Sequence, residues 1–400
     1  MANEASQFSA SEPALGYFYQ IRYALMEVLR QPEESVCYIE KDDDLDFTDP
    51  EEGRILASLK HKAEGDTLTD LSPDFWKSVR IWLTDYLKDP DSVVPTRYYL
   101  VTTGQVQIAS LLAAFLPGAH PPSNLLDLID ATLAGSNSIT IGKTRDLLAT
   151  LPKEKWAPFF RRITIFDHKE RISDIPTQIM DGFRSVRPQF RGPVYQRLEG
   201  WWYDQCVELL TKKRVKPLHG AEVSEMLSYF SELFRDDNLP IDFEKAEPKE
   251  GVHPDSDDRY FVRQLRAIGL KSDRITRAIL DYYRASEQRG SWLRENVILD
   301  DGEVERYDDR LVDEWARLRE ITFEELNDDT AEELLQQAGR KLLTELSMRD
   351  SPNLRIRRDV TATFVAMGSY HILANEDQPR VHWHPRFTER VADILRGRTA

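Results

Sequence analysis

Four hundred residues call for two or three domains at roughly 100–200 residues each. Hydrophobic residues at 41%, with 10% aromatic, supply sizeable cores and exclude a wholly disordered chain. Fifty-three Lys and Arg against 69 Asp and Glu leave −16 at pH 7. Nucleic acid therefore repels the chain at long range, and any phosphate contact needs a local basic patch, a metal ion or a partner subunit.

Leu15, Phe18, Tyr19, Arg22, Tyr23, Leu25, Met26 and Leu29 recur at helical spacing and predict a helix over 14–30. Pro32 closes it, and 35–39 reads as a short buried strand. Residues 40–52 read as an acidic stretch, with Gly53 as a turn residue and a second strand over 55–59. Ser72-Pro73-Asp74 is a helix start, leading through Trp76, Val79, Ile81, Trp82 and Tyr86. A third strand is expected over 97–103, helices over 106–116 and 123–134, and a fourth strand over 162–166. Strands separated by helices predict an α/β core with a mixed sheet.

Pro188, Gly192 and Pro193 mark a boundary near 190. Beyond it, amphipathic segments run over 199–213, 222–234, 260–268, 274–287, 306–322 and 331–346. Residues 245–258 read as a linker, and 360–368 with 371–395 as a closing α/β-like piece. The expected class is α+β, with an α/β domain over 1–190 and a mainly helical partner-binding and oligomerisation domain over 191–400. No run of about 18 apolar residues offers a membrane span. Residues 1–10 carry no basic-then-apolar leader, and Cys37 with Cys206 cannot build a disulfide framework. The expectation is a soluble, reduced, cytoplasmic protein.

The candidate chemistry lies around the first hairpin. Glu40 ends one strand, Asp42, Asp43 and Asp44 follow at the turn, and Ser58-Leu59-Lys60 lies on the next strand. Alternation sends Ser58 and Lys60 to one face and Leu59 to the other. Hard cations such as Mg²⁺ take one or two carboxylates plus substrate phosphate, and a lysine beside them stabilises charge on a phosphorane-like transition state. An acid at a strand end, with x-x-Lys about fifteen residues later on its neighbour, suits a metal-dependent phosphodiesterase centre. The alternative is a solvated acidic loop followed by a lysine at a strand end.

Four blocks carry a family resemblance: Gly16-Tyr-Phe-Tyr-Gln-Ile-Arg-Tyr-Ala-Leu25, Val36-Cys-Tyr-Ile-Glu-Lys-Asp-Asp-Asp-Leu45, Ala57-Ser-Leu-Lys-His61 and Leu71-Ser-Pro-Asp-Phe-Trp-Lys-Ser-Val-Arg-Ile-Trp82. Together they resemble the N-terminal nuclease domain of CD-NTase-associated effector nucleases and of ABC-three-component antiphage systems, including the Lamassu nuclease subunit. Gly368-Ser-Tyr-His-Ile-Leu373 and Val381-His-Trp-His-Pro-Arg-Phe387 are similar to the C-terminal end of three-component subunits. The resemblance implies a PD-(D/E)XK restriction-endonuclease fold that cuts double-stranded DNA with Mg²⁺ or Mn²⁺. By position it implies Glu40 and Asp44 as metal-proximal acids, Lys60 as the motif lysine and Gln20 as a helix residue facing the site. Ser58 stands where the family carries Gln or Glu, so a further metal contact falls to Asp43, Glu40 or water. The implied partners are an SMC-like coiled-coil ATPase and a small accessory subunit, and the net charge of −16 adds the expectation of self-association on activation. The rival expectation is a scaffold or sensor subunit whose site has decayed.

Three other features are read as structural. Ile141-Gly142-Lys143-Thr144 looks like the end of a phosphate-binding loop, but Asn137 stands where that motif needs glycine. His382 and His384, flanking Trp383 and placed on one strand face, read as packing residues. Trp76, Val79 and Trp82 read as core, with Lys77 and Arg80 on the exposed side open to phosphate.

Overall fold

The computed structural model describes residues 11–49, 53–92, 94–295, 297–298, 302–349 and 351–389. Its first half runs α1 (Ser11–Arg30), β1 (Val36–Ile39), β2 (Leu45–Asp49), β3 (Gly53–Lys60), β4 (Thr67–Leu68), α2 (Pro73–Tyr86), β5 (Arg97–Thr102) and β6 (Gln105–Val106). It continues with α3 (Leu125–Ala134), α4 (Ile139–Leu148), α5 (Lys153–Phe160), β7 (Ile163–Phe166), α6 (Ile175–Gly182), α7 (Arg191–Leu210), β8 (Leu218–His219) and α8 (Gly220–Glu232). A six-stranded mixed sheet takes the order β7-β5-β3-β2-β1-β8. β1, β2 and β3 are antiparallel, whereas β3, β5 and β7 run parallel.

The α2 side of this sheet holds a large core. Trp76, Val79, Trp82, Tyr98, Leu100, Phe159 and Ile165 are buried there together. Each fully buried aromatic contributes about 1.5–3 kcal/mol by leaving water. The Trp76, Val79 and Trp82 stripe is therefore core, as its spacing predicts.

Chain order differs from expectation at 40–52, where β2 replaces a purely acidic turn. Its two acids find partners inside the fold, which is why they tolerate a central strand. Asp46 is 3% exposed and takes a two-pronged hydrogen bond from Arg54, at 3.2 and 2.9 Å. Asp49 lies beside the Ser35 hydroxyl. The expected helix over 106–116 is only a 3-10 turn at Leu111–Phe115, held by Asp70, which accepts from Ser110 and from the Leu111 N–H. The loop-like Ile141–Thr144 segment lies inside α4, and the Thr144 hydroxyl donates to the Trp76 carbonyl at 2.8 Å. It is a helix-packing element.

Two compact units result, dividing between Ser231 and Glu232 rather than near 190. The reason is that α7 and β8 complete the first unit. The buried Trp202 indole donates to the Ile21 carbonyl at 2.8 Å, and β8 pairs with β1 through His219–Val36 and Leu218–Cys37. Cys37 and Cys206 are both buried free thiols, and burial pushes both well up.

The second unit is helical: α9 (Tyr260–Ala267), α10 (Ser272–Arg294), α11 (Glu303–Phe323), α12 (Glu332–Met348) and α13 (Thr363–Leu373). The fold is thus α+β, and among the described residues the strands all lie in the first unit. Gly368 lets α13 approach α10, because a Cβ there would lie 2.1 Å from the Asp281 carbonyl oxygen and 2.4 Å from the Ala285 Cβ. The closing piece forms no strand among its described residues, and 390–395 lie outside them. His382 packs flat on Phe387 and edge-on to Trp315, and the His384 Nε2 meets Glu332 at 3.1 Å. Among the described residues no helix is long and apolar enough to cross a membrane.

Candidate active site

The β1–β2 turn sits where three strand ends meet. Its closure is local: the Glu40 N–H donates to the Asp44 carbonyl at 3.0 Å. Glu40 itself adopts φ +53, a left-handed conformation that is uncommon outside glycine and costs roughly 1 kcal/mol. The acidic run therefore divides its side chains among different partners.

Asp44 faces β3. One of its oxygens, Oδ2, accepts from the Leu59 N–H at 2.6 Å, the Lys60 ammonium at 3.2 Å and the Ser58 hydroxyl at 3.4 Å. Lys60 also donates to the Ser58 oxygen at 2.8 Å and to the Leu59 carbonyl at 3.0 Å. The alternation read from sequence is correct here, since Ser58 and Lys60 share one face. Asp44 and Lys60 side chains are each 19% exposed, so the pair keeps contact with solvent.

Glu40 lies at the rim of the same group. The Gln20 side chain hydrogen-bonds to it from α1. Burial first, then the neighbouring Asp44 charge, raises the Glu40 carboxyl above its ordinary range, and Gln20, Lys60 and Lys77 oppose the rise. Gln20 is buried, and its amide oxygen has no partner among the described residues.

Asp43 departs from expectation. It is 8% exposed, and its Oδ2 accepts the Trp82 indole N–H at 2.6 Å. Its Oδ1 accepts the Asp44 N–H at 2.9 Å. A buried indole N–H needs an acceptor, and Asp43 supplies it. Burial and the Asp44 charge push this carboxyl up to about 6. Asp43 thus anchors the turn to α2 and turns away from a ligand role. Asp42 is likewise engaged elsewhere, paired with Arg54.

The structure brings together Gln20, Glu40, Asp44, Ser58 and Lys60, and adds Ser78. The Ser78 hydroxyl lies 2.8 Å from the Ser58 oxygen and also reaches the Asp74 carbonyl at 3.0 Å. Its sequence signal is a small polar residue inside the apolar stripe of α2, between Trp76 and Val79. Such a residue needs a hydrogen-bond partner when buried. Among the described residues no group of three or more His, Cys, Asp or Glu side chains is arranged to hold a metal ion.

Comparison with protein families matches residues 261–391 to C-terminal domain 7 of the ABC-three component (ABC-3C) systems. The match falls within the second unit, which is similar to a C-terminal domain of these systems. Among curated proteins none matches the chain. Among solved structures, the chain is similar to the Cap4 SAVED/CARF-domain containing receptor of Moraxella osloensis, at 12% identity, TM-score 0.33, and 68% coverage of each chain. A second similarity is to the Acinetobacter baumannii Cap4 receptor with the cyclic trinucleotide 2'3'3'-cAAA. It has 12% identity and TM-score 0.33, covering 64% of this chain and 57% of that one.

Proposed function

We propose that the first unit is a metal-dependent DNA endonuclease of the PD-(D/E)XK type, serving as the effector of an ABC-three-component antiphage system of the Lamassu kind. The observation that carries this reading is the Lys60 ammonium 3.2 Å from Asp44, across neighbouring strands, with Glu40 at the rim. Support comes also from the element order: a helix, three antiparallel strands, a helix and a parallel strand bring these residues to one edge.

Glu40 and Asp44 would supply the two carboxylate ligands that a Mg²⁺ or Mn²⁺ ion takes. Glu40 and Asp44 are hard oxygen donors, and the buried Gln20 amide oxygen is unpartnered beside them. A bound divalent ion would polarise the phosphodiester and acidify a water at neutral pH. Lys60 holds its ammonium where negative charge develops on a phosphate oxygen, and Ser58 with Leu59 fixes its direction. Gln20 orients Glu40 by hydrogen bonding, and Asp43 holds the turn that presents Asp44.

The proposed partners are an SMC-like ATPase and a small accessory subunit, engaged through the C-terminal unit, with self-association on activation in the cytoplasm. The second reading is a non-catalytic scaffold or sensor. Ser58 favours it, because this residue is 1% exposed with its hydroxyl already bonded, and it stands where the resembled family carries Gln or Glu. Mn²⁺ titration separates the two. Under the nuclease reading Mn²⁺ raises the melting temperature of the wild type and not of Asp44→Asn, and supports plasmid cutting that chelation stops. Equal stabilisation of both proteins, with no cutting in the presence of the partner subunits, favours the scaffold.

A further inference from the structure

A phosphodiester approaching the Asp44–Lys60 group meets two carboxylates, Glu40 and Asp44, against one ammonium. The chain as a whole carries −16. Coulomb repulsion therefore opposes substrate unless other cations lie close by, and most cations near the group are already spent. Lys62 pairs with Asp74, Lys41 with Asp46 and lies over the Tyr38 ring, and Arg54 is held by Asp42, Asp46 and Asp85.

Lys77 and Arg80 differ from these. Both lie on α2, and among the described residues neither side chain makes a hydrogen bond or an ion pair. Lys77 is exposed while its neighbours Trp76 and Ser78 are buried. Ser78 ties this turn of the helix to the site, since its hydroxyl sits 2.8 Å from the Ser58 oxygen that Lys60 also contacts. Lys77 is close enough to Glu40 to act on its carboxyl electrostatically. Arg80 follows three residues later, so the two Cβ atoms lie on one face roughly 5–6 Å apart. Their long side chains can span neighbouring phosphates of one strand.

We infer that Lys77 and Arg80 form the phosphate-binding edge of the site, gripping the backbone of a DNA duplex on the side of the Asp44–Lys60 group. The inference rests on the nuclease reading for its substrate class. Its two residues bind and position phosphate, and they take no part in bond breaking. Lys77 offsets the acid pair where the phosphodiester enters. Arg80 extends the grip along α2 with a planar, multidentate head suited to phosphate oxygens.

The test is binding of a fluorescent 30-base-pair duplex to the full chain, followed by anisotropy across a salt series without divalent ions. Wild type is compared with Lys77→Gln, Arg80→Gln and the double variant, and Lys213→Gln serves as a control for loss of one exposed charge. The double variant is expected to lose about two units of the log–log salt slope, at roughly 0.9 per phosphate contact. Each single variant is expected to lose about one unit, with melting temperatures unchanged and Lys213→Gln binding as wild type does. Wild-type slope and affinity in the double variant would overturn the inference, and so would a wild type that binds no duplex. If the double variant loses binding while the wild type cuts no DNA, the phosphate edge stands and the nuclease reading fails. If the wild type cuts and the double variant binds normally, the nuclease reading stands and the edge fails.

Discussion

Asp43 is the residue at which a pH measurement tests the site's architecture. Its carboxyl is pushed up to about 6 from 3.8 by burial and by Asp44. Folding therefore holds this proton more tightly than the unfolded chain does. The contribution to stability is complete below about pH 4 and is lost as the pH rises through about 6. The shift corresponds to about 3 kcal/mol. Asp43→Asn should remove this dependence: urea midpoints at pH 4 and pH 7 should bring wild type and variant apart by about that amount. Parallel stability profiles would mean that Asp43 is not buried against Trp82. The Asp42–Asp43–Asp44 run shows what the sequence could not reveal. Three adjacent acids look alike as letters, yet one meets Arg54, one an indole and one a lysine. Only the Ser58–Lys60 alternation and the pairing of Lys60 with an upstream acid were readable, because strand periodicity is local. The choice of Asp44 over Asp43 depends on a turn whose first residue has positive φ.

At the scale of elements, the tryptophan stripe of α2 was readable and β2 was not. Trp76, Val79 and Trp82 repeat at helical spacing, and burying them needs no knowledge of partners. Leu45–Asp49 carries two acids in five residues, so composition argues against a buried strand. Arg54, two residues along β3 from Leu56, the cross-strand partner of Asp46, makes it possible by holding the Asp46 carboxylate. In the second unit the approach of α13 to α10 depends on Gly368. Gly368→Ala pushes a methyl group into the Asp281 carbonyl and Ala285, and backbone cannot give way as a flexible side chain does. The variant should lose about 1–3 kcal/mol or more, read as a lower denaturant midpoint for the second unit. A midpoint equal to wild type would show that α10 and α13 are not in contact at Gly368.

The whole molecule divides later than its composition suggests. Pro188 and Gly192 look like a linker, yet Pro188–Phe190 forms a 3-10 turn that leads straight into α7. That helix buries Val194, Tyr195, Leu198, Trp202 and Cys206 in the first unit. Long-range pairing of β8 with β1 cannot be read from local pattern, because two residues carry no periodicity. A fragment of residues 1–231 should melt cooperatively, whereas 1–190 should fail to fold or melt far lower, having lost the partner of the Ile21 carbonyl and an edge strand. Equal melting of the two fragments would return the boundary to 190.

The proposed activity of the first unit turns on two side chains, Asp44 and Lys60, 3.2 Å apart. Supercoiled plasmid is incubated with Mg²⁺ or Mn²⁺ and the full chain, alone and with its partner subunits, using wild type, Asp44→Asn and Lys60→Ala. The wild type should cut, and each variant should lose about 100-fold or more, as expected when a charge-stabilising group is removed. Lys60→Ala should keep its melting temperature within a few degrees, since its side chain is partly exposed. A Lys60→Ala protein that cuts as fast as wild type would mean that this ammonium has no part in cleavage and that the nuclease centre is not here.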